Sequence, residues 1–500
     1  MNSTSEPVAE TTIAEGVRVK GTIGGRTKQV RPLPMPGEVR RYLLTSAQNN
    51  TYVHEALWIN GLALASHYGA ELMVGTYSYN KSAYGQKAVK RGAQVDHEDR
   101  SWYDPQIVEH IVDERVELAP RLTWCGELNI LPTAMHPLSQ MEAYNGRDSN
   151  LVPHAKYAMQ AVAGMAGEGT KHNYTTGTVT QRNYIQKRIG ILSEQYHGYG
   201  FLLVEVCGDG SWFVRQVQAT EEGVLRDLDL RVDGGVVTTC NPVSAITWGD
   251  VHVRVIDPEV RELAWGRGGM LDALRPQYQV LHDVLDQRAR NHHESKDPIA
   301  QYRKWKSGDE DVSAEVREVM EFMTAEAFRP WCETVVAPSN HHEALERWIK
   351  EADWKKDPIN AEFYLEAAKA LLLDPDVDLF AWAVMRSIRN EHDYLKLAKA
   401  RFLETDEPFV VAGVELGQHG HLGINGARGN HRAFSKLGRP ATTGHEHSAG
   451  IHLWNHVVGT TSRLRVGYNR GPSSWSHTHG VLYPEGTRTL VTMWKGRWRA

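Results

Sequence analysis

The spacing of apolar positions changes several times along the chain. From Arg40 the run RRYLLTSA alternates as a strand does, VHEALWINGLALASHYG recurs at helical spacing, and AELMVGTYS alternates again. Strand, helix and strand in that order predict a βαβ unit and an α/β start. Further on, GFLLVEVCGDGSWFVRQVQ alternates on either side of Asp209-Gly210, which predicts a hairpin turning there. GVVTTC predicts a short strand after Asp233-Gly234-Gly235.

A second pattern begins near Val243. Short apolar runs each end in a polar, histidine-bearing segment: SAITWGDVH, YQVLHDVLD, TVVAPSNHHE, FVVAGVELGQHGH and RPATTGHEH. Between them lie helical stretches, among them SAEVREVMEFMTAEAF, EALERWIKEADW and residues 361–402, and HDVLDQRARNHH also reads as helical. Such alternation predicts an α/β domain whose ligands bind beyond the carboxyl ends of its strands. Residues 1–38, with Gly-Gly at 24–25 and three prolines between 32 and 36, show no sustained period and predict a flexible arm. The expected organisation is this arm, an α+β domain over 39–244 and an α/β domain over 245–500 that carries a helical insertion at 343–408.

Composition sharpens the second half. With 41% hydrophobic and 9% aromatic residues the chain can bury a sizeable core. No run approaches the roughly 18 apolar residues of a membrane helix, and the first thirty residues lack a signal-peptide core. The expectation is a cytoplasmic protein with no membrane partner. Cys125, Cys207, Cys240 and Cys332 lie far apart without a Cys-x-x-Cys pair, which points away from a disulfide framework and from a thiolate zinc site. Of 24 histidines, eight precede residue 250 and sixteen follow it. Imidazole is the commonest protein metal ligand and a frequent acid–base group, so chemistry is expected in the second half. The net charge of −5 also hides an asymmetry, because residues 401–500 carry twelve Lys and Arg against six Asp and Glu. An anionic ligand would meet such a basic end, although a fluctuation of surface arginines gives the same count.

Each polar segment supplies metal-ligand residue types. Asp250 and His252 are two apart after a strand and can face one side together. Asp283 follows in HDVLD, Asn340 and His341 in SNHHE, His419 in QHGH, and His445 and His447 in GHEH. This series, GDVH, HDVLD, SNHHE, HGH and GHEH in that order, resembles the calcineurin-like metallophosphoesterase superfamily. The resemblance implies an αββα sandwich over 245–500. It also implies two divalent ions, manganese for preference, with iron, zinc or magnesium as alternatives. Asp250, His252 and His447 would hold one ion, Asn340, His419 and His445 the other, and Asp283 would bridge them. A bridging hydroxide would attack phosphorus, and His341 would protonate the leaving oxygen. His282 and Ser339 stand where the family usually has glycine, which puts loop geometry in question. The Glu of the third motif falls one place late, at Glu343.

Asp286 fits either a carboxylate that orients a ligating histidine or a solvated one, and His342, His421, His477 and His479 read as structural or supporting groups. Arg428, in GINGARGNHRAF, is the candidate phosphate-binding side chain, with an ordinary surface turn as the alternative.

The motifs point to phosphoester hydrolysis without naming the substrate. The basic end, its aromatic–basic interleaving (MWKGRWRA, RLRVGYNR) and the large first domain favour DNA as partner. Strings such as RYLLTSAQNNTYVHE, NYTTGTVTQRNYIQKRIG and NRGPSSWSHTH resemble tailed-phage proteins similar to a pre-early nuclease that degrades host DNA. That resemblance implies a DNase in the cytoplasm of an infected cell. The competing readings are a phosphomonoesterase or nucleotidase, a DNA-binding protein with a degenerate metal site, and an HNH-type nuclease on His282, Asn291 and His292. The last lacks the required ββα hairpin. For the first domain, substrate binding, homo-oligomerisation and inhibition of the other half are all open, with Tyr184, Gln186 and Lys187 as phosphate contacts or simply a helix face.

Overall fold

The βαβ unit forms where the periodicity places it. The computed structural model describes residues 19–23, 26–79, 102–239, 243–291, 294, 297–467 and 469–500. In it Val39–Gln48 and Glu71–Tyr77 are parallel neighbours joined by the helix Glu55–Tyr68. The helix begins where the His54 side chain accepts the N–H of Leu57. It ends at Gly69, whose left-handed backbone (φ 57°) returns its N–H to the last turn. Leu57, Trp58 and Leu64 of this helix are buried with Leu43, Phe201 and Leu203 of the sheet. The predicted hairpin extends that sheet: Gly200–Cys207 pairs antiparallel with Trp212–Gln218, Phe201 opposite Val217.

A second sheet carries the later apolar runs. Arg401–Phe402, Glu333–Val336, Tyr278–Leu281 and Ala245–Thr247 lie parallel in that order, and Thr478–Leu482 and Arg488–Thr492 continue it antiparallel. Both faces of these parallel strands are covered where Val280, Leu281, Val335 and Val336 stand, since successive residues point to opposite sides. Leu281 and Val336 face helices through Trp248, Val316, Met320, Leu345 and Phe380. Val280, Val335 and Leu482 face the neighbouring sheet through Val414 and Leu416. Residues 340–397 supply the helices Asn340–Glu351, Ala361–Leu373, Leu379–Arg386 and Glu391–Leu397.

The neighbouring sheet is the largest and runs across the boundary expected at residue 244. Val414–Glu415, Ala441–Thr443 and Asn455–Val457 are successive parallel neighbours, and Gly450–His452 then pairs with Ala158–Val162 of the first half, Ile451 opposite Met159. Tyr42, Leu44, Trp124 and Val204 share one core with Ala449, Ile451, Val458 and Leu490. The two halves are thus one hydrogen-bonded and packed unit.

Two local expectations are corrected. Within the expected arm of 1–38, Val19–Ile23 and Arg26–Val30 pair as a hairpin, and Arg26–Val30 pairs in turn with Arg115–Ala119, Val30 opposite Glu117. Ladder hydrogen bonds need no apolar period. Residues 282–288 form an irregular segment instead of a helix, because their backbone groups have partners elsewhere. The carbonyls of His282, Asp283 and Val284 accept the N–H groups of Val251, His252 and Val253, and the N–H groups of Arg288 and Ala289 donate to buried Glu315.

A buried ion network fastens the first half. Arg215 donates to both Asp227 oxygens (2.6 and 2.8 Å) and to Glu205 (2.7 Å), Tyr68 donates to Asp227 (2.6 Å), and Arg41 donates to Glu205 (2.9 Å). Arg215→Met would leave Asp227 buried without a cation, a loss of about 3 kcal/mol or more. A urea unfolding midpoint within error of the wild type would refute that expectation.

Candidate metal centre

The residues that the motifs single out come from the carboxyl ends of strands in two facing sheets. Asp250 and His252 follow Ala245–Thr247, Asp283 follows Tyr278–Leu281, and Asn340 opens the helix after Glu333–Val336. From the larger sheet, His419 follows Val414–Glu415, and His445 and His447 follow Ala441–Thr443. All of them converge. Asp250, His252, Asp283 and His447 are buried, and each offers a donor atom within 4.8 Å of the others. His447 Nε2 is 2.8 Å from Asp250 Oδ2 and 3.2 Å from His252 Nε2. Beside this group, His419 Nε2 lies 3.2 Å from Asp283 Oδ2 and 3.0 Å from Asn340 Oδ1. The rings of His419 and His445 are 5.1 Å apart.

Backbone geometry brings the groups together at a local cost. His252, Asp283, His445 and His447 all have left-handed backbones, with φ of 48°, 44°, 76° and 55°. For residues with a Cβ this conformation costs about 1–2 kcal/mol each. Packed hydrogen bonds hold it in place. The Asp250 carbonyl accepts from Thr461 N–H (3.0 Å) and from the Thr460 hydroxyl (2.9 Å), and the Asp250 carboxylate accepts from the His445 N–H (2.9 Å). Gly444 leaves room for that carboxylate, since a Cβ there would sit 2.2 Å from Asp250 Oδ1.

The donor set fits a divalent cation. Asp283 Oδ1, His419 Nδ1 and His447 Nδ1 are buried with no hydrogen-bond partner among the described residues. Such orphaned donors and acceptors are costly unless something else satisfies them. Two imidazole nitrogens facing each other at 3.2 Å beside carboxylates form the mixed nitrogen and oxygen set that suits manganese, iron or zinc. The charges say the same. Burial alone would depress His252, yet Asp286, Asp283 and Asp250 push it up to about 9. Burial likewise opposes ionisation of Asp250, but His419 and His447 hold its carboxyl well below the usual range. Three buried carboxylates therefore demand positive charge here.

Asp286, open between two roles in the sequence, is buried and supports the cluster. Its Oδ1 is 3.1 Å from His252 Nδ1, and its backbone carbonyl accepts a hydrogen bond from His341 Nδ1 (2.8 Å). That bond leaves Nε2 of the part-exposed His341 as the free pole, with its ring 4.7 Å from that of His252. His342 is buried and structural: its Nε2 accepts the Val284 N–H (3.1 Å) and its ring stacks on Phe380. His421 pairs with Glu343 at 3.1 Å, so the displaced glutamate has a partner. His479 accepts the Gly249 N–H (3.0 Å), and His477 Nε2 donates to the Ser462 carbonyl (2.9 Å). Arg428 is exposed on a loop whose Gly429 N–H donates to the His421 carbonyl, so it rides over the His419–His421 segment. Tyr184 is buried, its hydroxyl 2.9 Å from His197 Nδ1, so it is no surface phosphate contact, and His292 lies outside the described residues.

The motifs do not reveal two neighbours. Gln287, next to Asp286, is buried with neither side-chain polar atom bonded among the described residues. Trp475 packs edge-on against His447, ring centres 4.1 Å apart, and also lines an apolar cavity of about 690 Å³ between the two halves. Both stand in strings the sequence singles out, HDVLDQRARNHH and NRGPSSWSHTH, but neither residue type is a metal ligand, so nothing local ties it to the cluster.

Protein A1 of Escherichia phage T5 is 35% identical to this chain over 481 residues, covering 92% of the chain and 83% of the phage protein. No protein-family model and no solved structure matches the chain. No helix among the described residues is long and apolar enough to cross a membrane.

Proposed function

We propose that this chain, which belongs to the family of Protein A1 of Escherichia phage T5, is a divalent-metal-dependent phosphodiesterase that cleaves DNA in an infected cell. One observation carries the reading: buried carboxylates and imidazoles from the ends of strands in two facing sheets meet within 4.8 Å, with orphaned donor atoms among them. The fold is read as a metallophosphoesterase-like sandwich on the same ground, helices on one face of a sheet whose other face packs against a second sheet.

Asp250, His252 and His447 would hold one ion, Asn340, His419 and His445 a second, and Asp283 both. Bound there, the pair would acidify a water and neutralise charge on the phosphoryl oxygens. The protein's own groups do the rest. His341, fixed through Nδ1 by the Asp286 carbonyl, presents Nε2 to hand a proton to the leaving oxygen. Asp286 positions His252 and His341 together, so one carboxylate residue sets two rings. The His419–His421 segment and Arg428 above it form the side on which a phosphate would enter.

Incubation with manganese and either plasmid DNA or a panel of nucleoside monophosphates decides between this reading and a nucleotidase. The expected outcome is degradation of the plasmid with little phosphate release from the monoesters. Monoester hydrolysis without DNA cleavage would reverse it.

A further inference from the structure

The helix Pro298–Ser307 has no buried residue. It is well capped, with Asp297 accepting the N–H groups of Ile299 and Ala300 and with Gly308 closing its last turn. A helix of this length is nonetheless marginal by itself, and an unpartnered aromatic face is a poor use of surface. Ile299, Tyr302 and Trp305 share one side and are 59%, 56% and 62% exposed. The rings of Tyr302 and Trp305 lie 5.8 Å apart, 34° from coplanar. The helix contains no acidic residue, and Arg303 and Lys306 are exposed and make no ion pair among the described residues.

Its position ties it to the metal centre. Lys304 Nζ donates to the Arg288 carbonyl (2.5 Å) and pairs with Glu294 (2.6 Å). Arg288 is two residues from Asp286, whose carboxylate touches His252. The middle of the helix is therefore fastened to the loop that supports the cluster, about 7 Å of chain from Asp286.

We propose that this helix is a landing surface for single-stranded DNA leading to the metal centre, with unpaired bases stacking on Tyr302 and Trp305 and phosphates meeting Arg303 and Lys306. The choice of DNA rests on the nuclease reading; the choice of a single strand rests on the rings, which can stack only on bases free of a partner strand. Cations on the same helix complement a polyanion, whereas a second copy of this chain would bring its own cations against them.

The test is fluorescence anisotropy with the full chain and a labelled fifteen-nucleotide deoxythymidylate strand, in EDTA so that nothing is cleaved. Tyr302→Ala with Trp305→Ala is expected to weaken binding at least about tenfold, stacking being the main sequence-tolerant contribution. Arg303→Ser and Lys306→Ser should each reduce the slope of log affinity against log salt by about one. Turnover of bis-p-nitrophenyl phosphate with manganese should not change in any of these variants, nor should the thermal midpoint. Undiminished strand affinity in the aromatic double variant, or duplex bound as tightly as the single strand, would overturn the proposal. So would conversion of an oligomer to a monomer by that variant, which would make the face a contact between copies. DNA cleavage that ignores Tyr302 and Trp305 would leave the nuclease reading standing without this surface. Strand binding through them without cleavage under any metal would do the reverse.

Discussion

Asp283→Asn is expected to lower manganese-dependent hydrolysis of bis-p-nitrophenyl phosphate by about a thousandfold or more while the chain stays folded. Asp283 Oδ2 is 3.2 Å from His419 and 3.8 Å from His252, so it stands between the two groups of donors. The amide keeps the shape and removes the charge. Two metals contribute several kcal/mol of charge stabilisation to the transition state, and each 1.36 kcal/mol is tenfold in rate. Circular dichroism and a thermal midpoint close to the wild type would show that the loss is chemical. Turnover unchanged in this variant would remove Asp283 from the site, and with it the dinuclear assignment.

Gly444→Ala should do nearly as much from a position that binds nothing. The new methyl would lie 2.2 Å from Asp250 Oδ1, where real Cβ contacts essentially never fall. Asp250 has little freedom to yield, because the His445 N–H and His447 Nε2 hold its other oxygen at 2.9 and 2.8 Å. The backbone is equally tied, with the Gly444 N–H donating to the His419 carbonyl (2.7 Å). Displacing Asp250 by a fraction of an ångström moves a ligand and its neighbours together. The expected cost is about a hundredfold in turnover, the scale of a misplaced catalytic group, and about 1–3 kcal/mol of stability from overpacking. Calorimetric titration with manganese checks it directly: the variant should bind at least one ion more weakly. Equal affinity together with equal turnover would contradict the crowding argument.

Much of this was legible along the chain, for a physical reason. Local period reports which side of an element is covered, so Val39–Gln48, the helix Glu55–Tyr68 and the strands before each histidine segment could be read from spacing. The grouping of Asp250, Asp283, His419 and His447 was implied by the family resemblance that the order of the motifs carries. What period cannot report is pairing between distant segments. Ile451 opposite Met159 joins positions nearly three hundred residues apart, and neither strand announces its partner. The left-handed backbones at His252, Asp283, His445 and His447 were equally silent, because only the surrounding hydrogen bonds impose them. At 282–288 the spacing was misleading: it suited a helix, but Val251, His252 and Val253 had already claimed those carbonyls.

The strand Ala158–Val162 has a bearing on when the protein can begin to work. During synthesis at roughly 5–20 residues per second, it waits on the order of 15–60 s for Gly450–His452 to emerge and pair with it. The residues of the metal centre arrive over the same interval, His447 last. A nascent or prematurely stopped chain therefore carries an open sheet edge and an incomplete ligand set at the same time. Completion of the sheet and completion of the candidate site are a single late event, so a ribosome still translating the segment before His447 holds a chain without either.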